Sequence, residues 1–240
     1  MMLRTLTATP KDLEAMRDRL RSEIHSALEL SRQDYVTFEC VSVPNGREQT
    51  YQFVCDRHGE LALDDRGAEL PVLEIVSGRG WRALLGLSVT WARQTESRSR
   101  FLGCQLILFL ERLPRSQSSP AKQVMRLEWE ALDLNSNYDN DIAHPHWQMD
   151  LANFAEVRTD KFIHSEPRVR DSIIPATDVP DLSWSSKLHL AATARWMTAP
   201  WGKERPLPHV SGPQNMDELL SWMASSCRYV RFQLEEAFGE

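Results

Sequence analysis

Neither of the common phosphate-cradling turns is present in this chain: no GxxxxGK[ST] and no GxGxxG occurs, which excludes the P-loop and the dinucleotide-binding fingerprint. No GxSxG elbow occurs, so the commonest serine-hydrolase signature is missing as well. The four cysteines, Cys40, Cys55, Cys104 and Cys227, include no CxxC pair. Three fall in apolar strand-like runs and one on a helix, which predicts buried free thiols rather than a disulfide framework or a zinc knuckle. No apolar run nears the ~18 residues of a membrane-spanning helix; the longest, around Leu106 to Leu110, is strand-sized. The opening MMLRTLTATPKDLEAMRD turns charged almost at once and lacks the apolar core of a secretion signal. A cytoplasmic location without a membrane partner is expected.

What is present is ordinary in bulk and uneven in detail. With 240 residues, 42% hydrophobic and 26% charged, the chain is long and apolar enough to bury a continuous core, which argues against wholesale disorder. Its net charge of −6 divides sharply. From Ser77 to Arg126 there are nine Lys/Arg against two Asp/Glu, a balance of +7, so the remainder carries −13. Between Leu127 and Asp181, twelve acids face four bases. Either the two stretches neutralise each other within the fold, the plainer reading, or the basic one meets an acidic partner, nucleic acid or protein.

Periodicity predicts two amphipathic helices. Thr9 suits a cap and Pro10 a first helical position, and Leu13, Met16, Leu20, Ile24 and Leu28 then recur every three or four residues. That stripe packs on a core or, in a sharper reading, forms a homodimer seam. Met216, Leu219, Leu220, Met223, Cys227, Val230 and Leu234 mark the second helix, at the end of the chain. Between them, Tyr35 to Val43, Tyr51 to Cys55, Leu61 to Leu63, Leu87 to Trp91, Phe101 to Leu110 and Met125 to Ala131 read as strands separated by short turns. Pro71 to Trp81 reads as a short helix weakened by Gly78 and Gly80, and Leu182 to Met197 as a helix with a strand alternative at Leu188 to Leu190. The expected fold is α+β: a mostly antiparallel or mixed sheet of five to six strands flanked by an N-terminal and a C-terminal amphipathic helix. Residues 1–240 are expected to form a single domain, with a possible subdivision into 1–132 and a loop-rich, helical 133–240.

Two groups of residues are candidates for chemistry. If Ile142 to Asp150 is extended, His144, His146, Gln148 and Asp150 point to one side, because strand side chains alternate. Two imidazoles two residues apart beside a carboxylate can form one face of a Zn, Mn or Fe site. Glu128, or Glu130 beside it, would supply an oxygen ligand or general base, and His189 or His209 a third imidazole. The plainer reading is a turn fixed by Pro145, with the histidines bonded to backbone carbonyls and Trp147 plugging the core. The second group is Arg79, Arg82, Arg93, Arg98 and Arg100, suited to phosphate, nucleic acid or an acidic protein partner. Here the plainer readings are a turn before a core Trp81 and a solvated hairpin tip. Eight tryptophans, four of them (Trp184, Trp196, Trp201, Trp222) in the final third, either hold proline-rich loops to the terminal helices or mark a partner surface.

The order Val124-Met-Arg-Leu-Glu-Trp-Glu130, His144-Pro-His-Trp-Gln-Met-Asp150, Lys187-Leu-His-Leu-Ala-Ala-Thr-Ala-Arg-Trp196, His209 and Tyr229-Val-Arg-Phe-Gln-Leu-Glu235 resembles uncharacterised bacterial proteins encoded beside phage-defence or mobile-element genes. The resemblance covers roughly residues 122 to 238. It implies a bacterial protein that acts with the products of neighbouring genes, and it carries over no catalytic residue. The favoured expectation is therefore a non-catalytic accessory or interaction subunit, of the anti-phage defence kind, without a cofactor. The alternatives are a metal-dependent hydrolase or nuclease around His144, His146, Asp150 and Glu128, and a non-catalytic nucleic-acid binder using the arginines.

Overall fold

The computed structural model describes residues 6–30, 37–45, 48–56, 60–78, 80–113, 121–131, 145–149, 189–191 and 213–238. The first helix, α1 (Pro10–Ala27), begins on a reciprocal cap: Thr9 N–H donates to Asp12 Oδ2 at 2.8 Å, and Asp12 N–H donates to Thr9 Oγ1 at 3.3 Å. The first of these bonds, together with a hydrogen bond from the Thr9 hydroxyl to the same Asp12 Oδ2 at 2.7 Å, holds the exposed Asp12 carboxyl below its ordinary range. The predicted stripe is the buried face, with Met16, Leu20 and Ile24 almost wholly enclosed. α1 therefore packs on the core of its own chain.

The centre of the sheet is a hairpin of two 15-residue strands, β6 (Trp81–Thr95) and β7 (Arg98–Arg112), each about 50 Å long at ~3.4 Å per residue. Both exceed the segments expected from the sequence, because polar positions such as Arg93, Thr95, Arg98 and Arg100 still pair across the hairpin. Such length lets each strand serve two neighbours. On β6, β5 (Glu69–Gly78) pairs with the first half and β3 (Glu48–Asp56) with the second, and β2 (Thr37–Asn45) extends beyond β3. On β7, the two-residue β1 (Thr7–Ala8) pairs near the tip and β8 (Lys122–Glu130) along the remainder. Then follow β9 (His146–Met149) and β10 (His189–Ala191), while β4 (Leu61–Leu63) pairs with β5. Every pairing among the described residues is antiparallel. The α+β architecture with flanking helices agrees with expectation, and the described strands outnumber the five or six foreseen.

One face of the sheet carries both helices. Leu85, Leu87, Val89 and Trp91 of β6, Cys104 and Leu106 of β7, and Leu127 and Trp129 of β8 form a continuous core with α1 and with α2 (Met216–Phe238). Arg19 pairs with Asp217 at 2.7 Å and Glu29 with Arg231 at 3.1 Å, so the two helices run in the same direction along the sheet. No helix of the described residues is long and apolar enough to cross a membrane. The opposite face is covered at one end by β4 and β5, where Ala62, Leu70 and Val72 meet Leu84, Ile107 and Phe109. Gly86 permits that layer: a Cβ there would lie 2.2 Å from Leu70 Cδ2.

Two expectations need correction. Pro71 to Trp81 is no helix: residues up to Gly78 form β5, and Gly80, at φ +79°, belongs to the turn into β6. Adjacent Val72 and Leu73 are both fully buried, in opposite cores, as strand alternation requires when both faces are covered. Likewise His189 to Ala191 is strand rather than helix, as the alternative at Leu188 to Leu190 had it; the remainder of Leu182 to Met197 lies outside the described residues.

Cys104 and Cys227 are buried, and burial pushes the Cys104 thiol well above the ordinary range. The side chains of Cys40 and Cys55 lie outside the described ones. Because the thiolate is the reactive form, Cys104 and Cys227 are expected to resist alkylation in the native protein and to label only on unfolding. Peptide mapping after a timed iodoacetamide pulse checks this; rapid native labelling of Cys104 would contradict its burial.

Candidate functional site

Antiparallel pairing of β8 with β9 places Glu128 opposite His146 and Arg126 opposite Gln148. These four polar side chains share the face turned away from the helices, while Leu127 and Trp147 pair on the helix side. The extended reading of the HPHWQMD segment therefore holds over His146 to Met149, with Pro145 just ahead of the strand, where no ladder bond is demanded of it. Of the four metal candidates, the structure brings together His146 and Glu128; His144 and Asp150 lie outside the described residues, as does His209.

The cluster is enclosed. His146 is 2% exposed, Arg126 4% and Glu128 7%. His146 Nε2 lies 3.5 Å from Glu128 Oε2, and Arg126 Nε lies 2.8 Å from Glu128 Oε1. The latter is a charge contact rather than an aligned hydrogen bond, since Arg126 Nε has no hydrogen-bond acceptor among the described residues. Arg126 Nη2 donates to Gln148 Oε1, and Asp65, from the turn after β4, approaches Arg126 Nη1 at 3.3 Å. Burial pushes the Glu128 carboxyl up, but the hydrogen bond from His146 and the charge of Arg126 outweigh it and hold the group below its ordinary range.

An imidazole fixed against a carboxylate is the arrangement that orients a general base. The 3.5 Å separation of the two donor atoms also matches two ligands on one tetrahedral ion, whose ligand distances of ~2.0–2.1 Å set them about 3.3 Å apart. Against this, Arg126 already supplies positive charge to Glu128, and a dication placed there would have to compete with it. Among the described residues, no group of three or more His, Cys, Asp or Glu is placed to hold a metal.

The linkage of Glu128 to pH has a definite sign. Its folded carboxyl titrates below the ~4.3 of an unfolded glutamate, so it stabilises the fold above that value, and this contribution is lost as pH falls through the folded value. Glu128→Gln is expected to flatten the acid limb of stability below about pH 4. Urea midpoints measured from neutral to acid pH check this, and identical acid limbs in the two proteins would contradict it.

Of the five arginines, the four that are described do not form one surface. Arg79 lies outside the described residues. Arg82 is 12% exposed and held by Glu60, Glu74 and Glu111, tying together β5, β6, β7 and the residue before β4. Its role here is an internal ion-pair network, and the turn ahead of a buried Trp81 is as the plainer reading had it. Arg93, Arg98 and Arg100 lie at the other end of the hairpin, ~36 Å away along β6. There the register pairs Arg93 with Ser99, so Arg98 and Arg100 share one face of the ribbon and Arg93 falls on the other. None of the three carboxylates named around Arg82 comes from the acidic stretch, whereas Glu128, which does, pairs with Arg126; much of that stretch lies outside the described residues.

Sequence reasoning passed over Arg126, Asp65 and the outer side of α2. Arg126 was legible as a polar position of the alternating β8, but alternation does not say that the polar face is covered. On α2, Tyr229 is 55% and Phe232 56% exposed, one turn apart on the side opposite the core stripe. Tyr229 meets Trp147 of β9 edge to face, with ring centroids 6.2 Å apart. Trp222, on the same helix, packs edge to face on Trp129 at 5.4 Å; Trp184, Trp196 and Trp201 lie outside the described residues. No protein family, curated protein or solved structure matches this chain.

Proposed function

We propose that this chain is a non-catalytic interaction subunit of a bacterial multi-protein system, of the anti-phage defence kind its sequence resembles, and that it engages its partner through the outer face of α2. One observation carries this reading. Tyr229 and Phe232 are large aromatic side chains, each more than half exposed, aligned on a helix whose other side is locked into the core. Aromatic anchors of this kind dominate binding energy at interfaces, and their exposure has no folding benefit. The test is co-expression with the products of the adjacent genes, followed by mass photometry and elemental analysis of one sample. A stable, metal-free complex that dissociates on Phe232→Asp supports the reading. A chain that purifies alone under all conditions overturns it.

A second reading, a metal-dependent hydrolase or nuclease using His144, His146, Asp150 and Glu128, draws support from the convergence of His146 and Glu128. It requires about one Zn, Mn or Fe per chain, lost on His146→Ala.

A further inference from the structure

We propose that the outer face of α2 is a two-fold self-association seam, occupied by α2 of a second copy of this chain packed antiparallel. The inference rests on the reading of that face as an interface and names its occupant. On a helix of 3.6 residues per turn, Ser225, Arg228, Tyr229, Phe232, Glu235 and Glu236 lie within one arc centred on Phe232, and all six are exposed. The charges along this arc are ordered: Arg228 stands one turn before Phe232, Glu236 one turn after it, with Glu235 alongside. Arg228 and Glu236 have no ion-pair partner among the described residues, whereas Glu235 is held by Arg231 at 2.6 Å.

That order is self-complementary under one symmetry only. When two copies of α2 pack antiparallel about a two-fold axis through Phe232, a residue n positions before Phe232 faces the residue n positions after it in the other copy. Phe232 then meets its own counterpart on the axis, Arg228 faces Glu236 flanked by Glu235, and Tyr229 faces the same acidic pair. Parallel packing would instead set Arg228 against Arg228 and Glu236 against Glu236, so like charges exclude it. The homodimer seam that the sequence suggested for α1 is thereby moved to α2, because the apolar stripe of α1 is consumed by the core. A single helix face is smaller than the ~800 Å² per partner of a standard interface, so the dimer is weak and concentration-dependent.

The experiment is sedimentation velocity over a broad concentration series on the whole chain and on the surface variants Arg228→Glu and Glu236→Arg, with circular dichroism to verify folding. The wild-type protein is expected to pass from monomer to dimer as concentration rises. Each single variant, now facing like charge across the axis, is expected to weaken the dimer at least about tenfold. An equimolar mixture of the two variants restores it. In the mixed dimer the carboxylate introduced at position 228 of one copy meets the guanidinium introduced at position 236 of the other, while the unaltered Arg228 and Glu236 meet as in the wild type. A protein that stays monomeric throughout overturns this inference; if it still binds the product of a neighbouring gene through Phe232, the interaction-subunit reading stands alone. Dimerisation unaffected by either variant, or variants whose mixture fails to associate, also overturns the antiparallel seam.

Discussion

Arg126→Met is expected to destabilise the fold by about 3–5 kcal/mol, the usual consequence of removing one partner from a buried ion pair. Arg126 is 4% exposed and sits between Glu128, Gln148 and Asp65, so its loss leaves the Glu128 carboxylate enclosed without the guanidinium that pairs with it. Most of that loss comes from the stranded charge and little from the contact itself. Arg126→Met combined with Glu128→Gln should therefore recover more than half of it, because the glutamine retains a hydrogen-bonding group for His146 without a charge to desolvate. Urea denaturation of the two single variants and the double variant measures the coupling, provided the slope of the transition is unchanged. A loss for Arg126→Met of under about 1 kcal/mol would mean that the pair behaves as a surface salt bridge. In that case the cluster is open to water, and the metal reading of His146 and Glu128 gains ground.

Replacing Trp91 by alanine is expected to cost a similar amount, about 3–5 kcal/mol, through the cavity it leaves. Trp91 is fully buried, pairs directly with Phe101 across the central hairpin and meets its ring edge to face at 5.5 Å. The pair stands where the register of β6 against β7 shifts, between Thr90 and Trp91, and its bulk fills the space between the sheet and α1. The indole Nε1 is buried without a hydrogen-bond acceptor among the described residues. Trp91→Phe removes that donor while keeping most of the ring, so its cost should stay under about 1.5 kcal/mol. Thermal unfolding of both variants separates the two effects. Equal losses for Ala and Phe would show that the indole N–H has a partner that contributes to stability.

The candidate site was half legible. Alternation in Met125 to Ala131 and the close spacing of His144 and His146 placed Glu128 and His146 on strands with their side chains on defined faces, and the two strands do pair. The register that sets Glu128 opposite His146 was not legible, since it depends on which residues align across a connection of fifteen residues, 131–145. Nor was the burial of the polar face, because Arg126 and Glu128 carry the same signature whether water or Asp65 lies above them. For the arginines, clustering in sequence suggested a shared surface. A hairpin about 50 Å long separates Arg82 from Arg93, Arg98 and Arg100 instead, and the carboxylates gathered around Arg82 come from β5, β7 and the residue before β4.

The sequence by itself determined both helices, their buried stripes, the cap at Thr9 and the alternating strands Leu87 to Trp91 and Met125 to Ala131. Each depends on local periods of 3.6 or 2 residues and on the stereochemistry of a few terminal residues. The tertiary structure alone decided that Pro71 to Gly78 is a strand, since the edge of β6 pairs with Val72 to Gly78 and two cores accept Val72 and Leu73. It also decided that the apolar stripe of α1 is interior while the aromatic side of α2 faces outward. Periodicity tells which residues share a face; what covers that face is set by contacts distant in sequence.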